Sequence, residues 1–167
     1  MRRMAGSSVK AVYSGTFDPF TLGHRNVLER AAELFEHVTV AVAESTKKQT
    51  LFTLEERVEI AETEAAGLPN VDVRPFSGLL RDFCLAGGYR VIVRGIRSGT
   101  DFNYESQMAG ANKMLMPGVE TVFLMTEPPF EFVTSSAVRE IGWLKGPLDG
   151  FVSPAVAAAV AAKFQKG

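Results

Sequence analysis

A chain of 167 residues, 46% hydrophobic and 22% charged, is long enough for one globular domain with a real core. Its net charge of −1 offers no basic excess for nucleic-acid phosphates, and no run reaches the roughly 18 apolar residues that span a bilayer. Cys84 is the single cysteine, which excludes an intrachain disulfide and a cysteine-built metal cluster and suits a reducing cytoplasm.

The basic opening, Met1 to Ser8, has no apolar core of signal-peptide length and is expected to be a short disordered lead-in to a single domain over 9–167. Val9–Ser14 is an apolar first strand. It empties into Tyr13-Ser-Gly-Thr-Phe-Asp-Pro-Phe-Thr-Leu-Gly-His24, and an amphipathic helix leads out from about Gly23 to Phe35. His37–Ala43 is β-branched and reads as a second, buried strand, followed by a polar loop, Glu44–Thr50, that contains Lys47 and Lys48. Thr53-Leu-Glu-Glu56 is a capping-box pattern that starts a helix running to about Gly67. Leu68-Pro-Asn70 turns the chain into a third strand, Val71–Phe76, and a helix from Ser77 to Leu85 is stopped by Gly87-Gly88. Tyr89–Arg94 is the fourth strand. A longer helix, about Asp101 to Met116, ends at Pro117-Gly118, and Glu120–Met125 is the fifth strand. Thr134-Ser-Ser136 introduces a helix through Trp143. Ser153-Pro154 opens the last one, with Val156, Val160 and Phe164 as its buried stripe.

Five β-type runs, each followed by helical signal, predict an α/β fold: a Rossmann-like, doubly wound, five-stranded parallel sheet with helices on both faces. Right-handed crossovers put every strand C-terminus on one edge, where open α/β sheets bind ligands, and the polar clusters all follow strands. No Gly-x-Gly-x-x-Gly follows the first strand, which counts against a nicotinamide dehydrogenase, and no Gly-Lys-Ser/Thr phosphate loop occurs.

A strand that empties through a glycine-bearing loop into a helix makes an anion site. Unpaired backbone N–H groups and the positive end of the helix dipole meet at one spot. His24 adds a side-chain donor there, although a plain βα turn with an incidental histidine has the same pattern. Lys48 is either a solvated lysine or a phosphate ligand. Arg94 and Arg97 directly follow the buried Val91-Ile-Val93, and two arginines on the ligand rim suit phosphate clamping by the guanidinium fork. Thr134-Ser-Ser136 is an ordinary cap or a second phosphate-binding helix end. Asp101, Tyr104, Glu105, Met108 and Asn112 share one helix face, a row toward a ligand or a half-buried stripe. Cys84 reads as core, and His37 has no partner in view. The chain has two histidines and no metal-ligand cluster; if the nucleophile were itself a phosphate monoester, whose second pKa near ~6 leaves it mostly dianionic, no strong base would be needed. Catalysis would then rest on placement and charge stabilisation.

Gly15-Thr-Phe-Asp-Pro19 followed by Thr21-Leu-Gly-His24 resembles the His/Thr-x-Gly-His signature of the nucleotidyltransferase superfamily, whose members attack the α-phosphorus of a nucleoside triphosphate. Further motifs follow in order: Phe52-Thr-Leu-Glu-Glu-Arg57, Arg94-Gly-Ile-Arg-Ser-Gly-Thr-Asp-Phe-Asn-Tyr-Glu105, Met114-Leu-Met-Pro117, and Phe132-Val-Thr-Ser-Ser136 with Arg139-Glu140. With them the chain, from about Val9 to Phe164, resembles the pantetheine-phosphate adenylyltransferases. The resemblance implies reversible in-line transfer of AMP from ATP, with Mg2+, to 4′-phosphopantetheine, giving dephospho-coenzyme A and pyrophosphate. It implies that Thr16 and Lys48 hold the phosphopantetheine phosphate with Arg94 nearby, and that His24 stabilises the transition state. Arg97 with Thr134, Ser135 and Ser136 would bind the departing β- and γ-phosphates. Thr16 and Phe17 also belong to the implied ATP site, with Glu105 and the backbone at Gly95 near the adenosine. Leu79, Leu80, Tyr104, Met108 and Asn112 would line the pantetheine arm. The resemblance further implies a cytoplasmic homohexamer, a dimer of trimers, with coenzyme A as feedback inhibitor. Ser14, Asn103, Ala111 and Thr134 depart from the family's usual residues.

Overall fold

Strands that are apolar on both faces need cover on both sides, and the chain supplies it with helices between successive strands. The computed structural model describes residues 8–45 and 49–165; residues 1–7 of the expected lead-in, and Lys47 and Lys48, lie outside them. The elements are β1 (Lys10–Gly15), α1 (Leu22–Leu34), β2 (His37–Ala43), α2 (Leu54–Ala65), β3 (Val71–Phe76), α3 (Leu80–Gly87), β4 (Val91–Ile96), α4 (Gly99–Leu115), β5 (Glu120–Met125), α5 (Ser135–Trp143) and α6 (Pro154–Gln165). The five strands form one sheet in the order β3-β2-β1-β4-β5, every neighbouring pair parallel.

Alternation along the strands divides the core between the two faces. Ala11, Tyr13, Val38, Val40 and Val42 pack against Val27, Leu28 and Ala31 of α1 and Ala61 of α2. Val12, Ala41 and Ile92 turn the other way, against Cys84 of α3, Tyr89 and Met116. A third cluster joins Phe52, Val138, Val152, Val156 and Val160, seating α6 against α5 and the segment before α2. Among the described residues, no helix is long and apolar enough to cross a membrane.

Several boundaries differ from the expectation, β4 running on to Ile96 past Arg94 among them, and three starts differ for a local reason. β4 begins at Val91, not Tyr89, because Gly88 ends α3 in the left-handed conformation at φ 68 and the Tyr89 N–H closes back on the Cys84 carbonyl at 3.0 Å. Tyr89 instead buries its ring and donates its hydroxyl to Thr39 at 2.7 Å. α4 starts at Gly99 rather than Asp101, since Ser98 caps it by accepting the Asp101 N–H. α3 starts at Leu80, because Leu79 is still extended at φ −79 and ψ 135.

Candidate active site

Topology places a crevice before any side chain is considered. The ladder between β1 and β4 ends at Tyr13↔Val93, so these two central strands part at their C-terminal ends. A cleft of about 340 Å³ opens there. Its walls are the loop after β1, the first turn of α1, Gln49 and Thr50, the end of β4 with Arg97, and the stretch from Thr126 into α5.

The first turn of α1 is built around His24. Thr21 caps the helix, its side-chain oxygen accepting the His24 N–H at 3.2 Å, and His24 Nδ1 accepts the Thr21 N–H at 3.0 Å. This is a capping box in which histidine replaces the usual Glu or Gln. Accepting at Nδ1 puts the ring proton on Nε2. The ring stands edge-on to Phe17, centroids 4.9 Å apart, and lies 5.3 Å from Phe20. Phe17 itself takes φ 50, a strain of about 1–3 kcal/mol, and its ring is buried in the core. Burial, then the charges of Arg97 and Arg94, push the His24 pKa down to about 3. At neutral pH His24 is a neutral N–H donor, neither a cation nor a general base.

Of the three arginines that line the cleft, Arg94, Arg97 and Arg139, the first two act on the His24 charge. Arg94 donates to Glu105 at 2.8 and 2.7 Å and to the Ser14 carbonyl at 2.5 Å. Arg97 donates to Asp101 at 3.2 Å and to the Val133 carbonyl at 3.3 Å. Carboxylates of α4 thus aim both guanidinium groups, which keep further N–H donors for a ligand. Gly95 lets α1 approach β4 between these arginines: a Cβ there would stand 3.0 Å from Val27 Cγ2. On the facing wall Thr134 caps α5 by accepting the Ala137 N–H at 3.0 Å, and Ser135 Oγ donates to the Pro19 carbonyl at 2.8 Å. Two helix N-termini, three guanidinium groups and an imidazole N–H make a donor set suited to polyphosphate. Among the described residues the cleft's carboxylates are already engaged, an arrangement suited to a nucleophile that arrives ionised.

Of the residues singled out from the sequence, Thr16, Phe17, His24, Arg94, Gly95, Arg97, Glu105 and Ser135 line this cleft. Thr134 and Ser136 adjoin Ser135 without forming the wall. Leu79, Leu80, Tyr104, Met108 and Asn112 stand outside it, with Leu79, Tyr104 and Met108 exposed and Leu80 and Asn112 half-buried. On the α4 face that bears the last three, Asp101, Glu105 and Asn112 are half-buried and Tyr104 and Met108 exposed, and only Asp101 and Glu105 of that face line the cleft. Lys48 lies outside the described residues.

The sequence reading assigned nothing to Asp18, Arg57 or Arg139, which stand in its motifs. Asp18 accepts the Leu51 and Phe52 N–H groups at 2.9 and 3.0 Å, and Arg139 donates to the Asp18 carbonyl at 2.7 Å and to Ser136 Oγ at 3.2 Å. The signal open to a sequence reader was a charged residue inside an otherwise apolar motif, Phe17-Asp-Pro-Phe20.

The chain matches the cytidylyltransferase-like family over residues 12–141. It is 54% identical over 148 residues to the phosphopantetheine adenylyltransferase of Acidovorax sp. (strain JS42), covering 89% of this chain and 90% of that protein. It is 51% identical over 150 residues to the phosphopantetheine adenylyltransferase of Methylobacillus flagellatus, covering 90% and 94%. Among solved structures, a putative nicotinate-nucleotide adenylyltransferase from Vibrio parahaemolyticus superposes with a TM-score of 0.65 at 14% identity, over 96% of this chain and 93% of that one. A bifunctional NMN adenylyltransferase/ADP ribose pyrophosphatase from Francisella tularensis gives 0.71 at 16% identity, over 96% and 51%. At those identities the structural likeness speaks for the fold alone.

Proposed function

The chain belongs to the cytidylyltransferase-like family, among the phosphopantetheine adenylyltransferases, and on that footing we propose that it transfers AMP from ATP to 4′-phosphopantetheine. The products are dephospho-coenzyme A and pyrophosphate, a step of coenzyme A synthesis. The observation that carries the reading beside the relationship is a neutral, tautomer-fixed His24 beside Arg94 and Arg97, in a cleft whose carboxylates are already paired.

An oxygen of the acceptor phosphate attacks the α-phosphorus. The new P–O bond forms as the bond to the α–β bridging oxygen breaks, and that oxygen leaves with the electron pair on pyrophosphate. No proton has to be removed, because the acceptor is already anionic. His24 Nε2–H meets the α-phosphoryl oxygens, where charge grows in the transition state. Thr16, Lys48 and Arg94 hold the acceptor phosphate. Arg97 and the turn Thr134, Ser135 and Ser136 take the β- and γ-phosphates, while Phe17, Gly95 and Glu105 border the adenosine. Leu79, Leu80, Tyr104, Met108 and Asn112 receive the pantetheine arm, beyond the cleft wall.

Magnesium enters as part of the MgATP substrate. Among the described residues no group of three histidine, cysteine or carboxylate side chains could hold an ion, which suits a metal that keeps phosphate and water ligands. The working form is a cytoplasmic homohexamer, a dimer of trimers, of single domains spanning 9–167; the exposed Phe102, Met114 and Leu115 of α4 offer apolar surface to other copies. Coenzyme A, which carries both halves of the product, acts as feedback inhibitor at the same cleft. Neither nucleic acid nor membrane is a partner.

The test is pyrophosphate release from MgATP with and without 4′-phosphopantetheine. Release that requires the acceptor and yields dephospho-coenzyme A is the expected result. Release only with a different phosphorylated acceptor keeps the superfamily and discards this substrate, and ATP binding without release under any acceptor discards the enzyme.

A further inference from the structure

Arg57, in the first turns of α2, is a charged side chain only 2% exposed, and the chemistry above gives it nothing to touch. An arginine is rarely buried without matched acceptors, and here each bond reaches a backbone carbonyl of a different segment. Nη1 donates to Thr16 at 2.8 Å and to Ala43 at 2.7 Å, and Nε donates to Phe52 at 3.3 Å. Thr16 is in the loop after β1, Ala43 ends β2, and Phe52 immediately precedes the cap of α2. Asp18, itself 4% exposed, ties the same segments with opposite polarity: its two carboxylate oxygens accept the Leu51 and Phe52 N–H groups.

We propose that Arg57 and Asp18 form a buried clamp that sets the Thr16 loop and the Gln49–Thr50 wall of the cleft at one separation, making Arg57 a positioning residue for adenylyl transfer. The acceptors carry the argument, since all three lie on segments that lead to the cleft. α2 is held independently, by the Thr53–Glu56 capping box and by Ala61 and Ala65 in the core. Loosening the clamp therefore shifts cleft walls without melting the helix that bears Arg57. The proposal rests on the adenylyltransferase reading, because an in-line transfer is sensitive to placement: a shift of ~1 Å costs about 100-fold.

The test compares Arg57→Lys and Asp18→Asn with the wild-type chain. Lysine keeps the charge but lacks the planar fork that serves three divergent carbonyls. Asparagine keeps the shape but faces one N–H with another. Both variants are expected to melt cooperatively, with kcat/KM for 4′-phosphopantetheine reduced on the order of 10–100-fold. Amide hydrogen exchange at Leu51 and Phe52 should quicken at least about tenfold while the amides of Val58 to Ala65 keep their protection. Wild-type kcat and KM in folded Arg57→Lys would overturn the proposal, as would exchange that quickens across α2 and the sheet together with activity falling only as the folded fraction does. If Arg57→Lys does not fold, Asp18→Asn decides by the same readouts. Acceptor-dependent pyrophosphate release by the wild type tests the underlying reading separately; without it, exchange at Leu51 and Phe52 still reports whether the clamp exists.

Discussion

His24→Ala removes two separable things, and the structure says how much each is worth. One is the reciprocal half of the α1 capping box, the bond from the Thr21 N–H at 3.0 Å. Loss of a cap costs about 0.5–2 kcal/mol, which in a chain of 167 residues lowers Tm by roughly 1–8 °C. The other is the Nε2–H donor at the reacting phosphorus. Removing one preorganised donor costs about 3–4 kcal/mol in the transition state, or two to three orders of magnitude in kcat. ATP affinity should change little, since the bond strengthens chiefly as charge develops. His24→Gln separates the effects. Glutamine is a usual partner in a capping box, so it should restore Tm and leave kcat at least about tenfold down.

The assay is steady-state pyrophosphate release from pH 5 to 9 alongside thermal melting. With a folded pKa of about 3 against an ordinary 6.5, His24 of the free chain stays neutral throughout and adds no inflection to kcat/KM for ATP. The linkage has a definite sign. The unfolded chain binds this proton below about pH 6.5, whereas the folded chain does not until about 3, so the stability held by neutral His24 is full above 6.5 and declines as pH falls toward 3. An inflection of kcat/KM for ATP near 6.5 that His24→Gln abolishes would refute the neutral-donor role. So would an equal loss of kcat and ATP affinity in His24→Ala.

Glu105→Gln removes the charge that aims Arg94 but keeps an acceptor; kcat/KM for the acceptor is expected to fall about tenfold, the scale of one charge-assisted hydrogen bond, and pyrophosphate-release kinetics check it. Lys48→Ala should lower the rate at least about tenfold if it holds phosphate, and an unchanged rate returns it to a solvated lysine. Burial works to raise the Asp72 carboxyl pKa, but hydrogen bonds from Thr39, His37 and Arg74 outweigh it and hold it low. Its stabilisation is then full above about pH 4 and lost as the pH falls further, so Asp72→Asn should flatten the acid limb of a denaturant-midpoint profile. Cys84 is fully buried and burial pushes its thiol up to about 11; a thiol reagent at pH 8 should modify it no faster than the chain unfolds.

Much of the fold was legible because its signals are local. Periodicity marked all five strands, and Thr53 and Thr134, each bonded to an amide three residues on, announced α2 and α5. The side of the sheet that would carry chemistry was legible as well, since parallel crossovers leave the strand C-termini no other edge. The boundary errors at Tyr89 and Asp101 arose where a residue's own propensity lost to a neighbour, the left-handed Gly88 and the capping Ser98.

What the sequence by itself determined, then, was element identity, the ligand edge and the family motifs that gather there, all carried by contacts within a few residues. Only the tertiary structure decided what each charged side chain does. His24 looked like a second donor at a helix start, and the closeness of Phe17, Phe20, Arg97 and Arg94 is what makes it neutral. Arg94 and Arg97 looked alike, yet one is gripped by Glu105 and the other by Asp101. Arg57 has the sequence of an ordinary helix arginine, and its three carbonyls come together only when β1, β2 and the approach to α2 converge. A charge takes its free energy from everything within several ångströms, and the packed chain alone determines which distant residues those are.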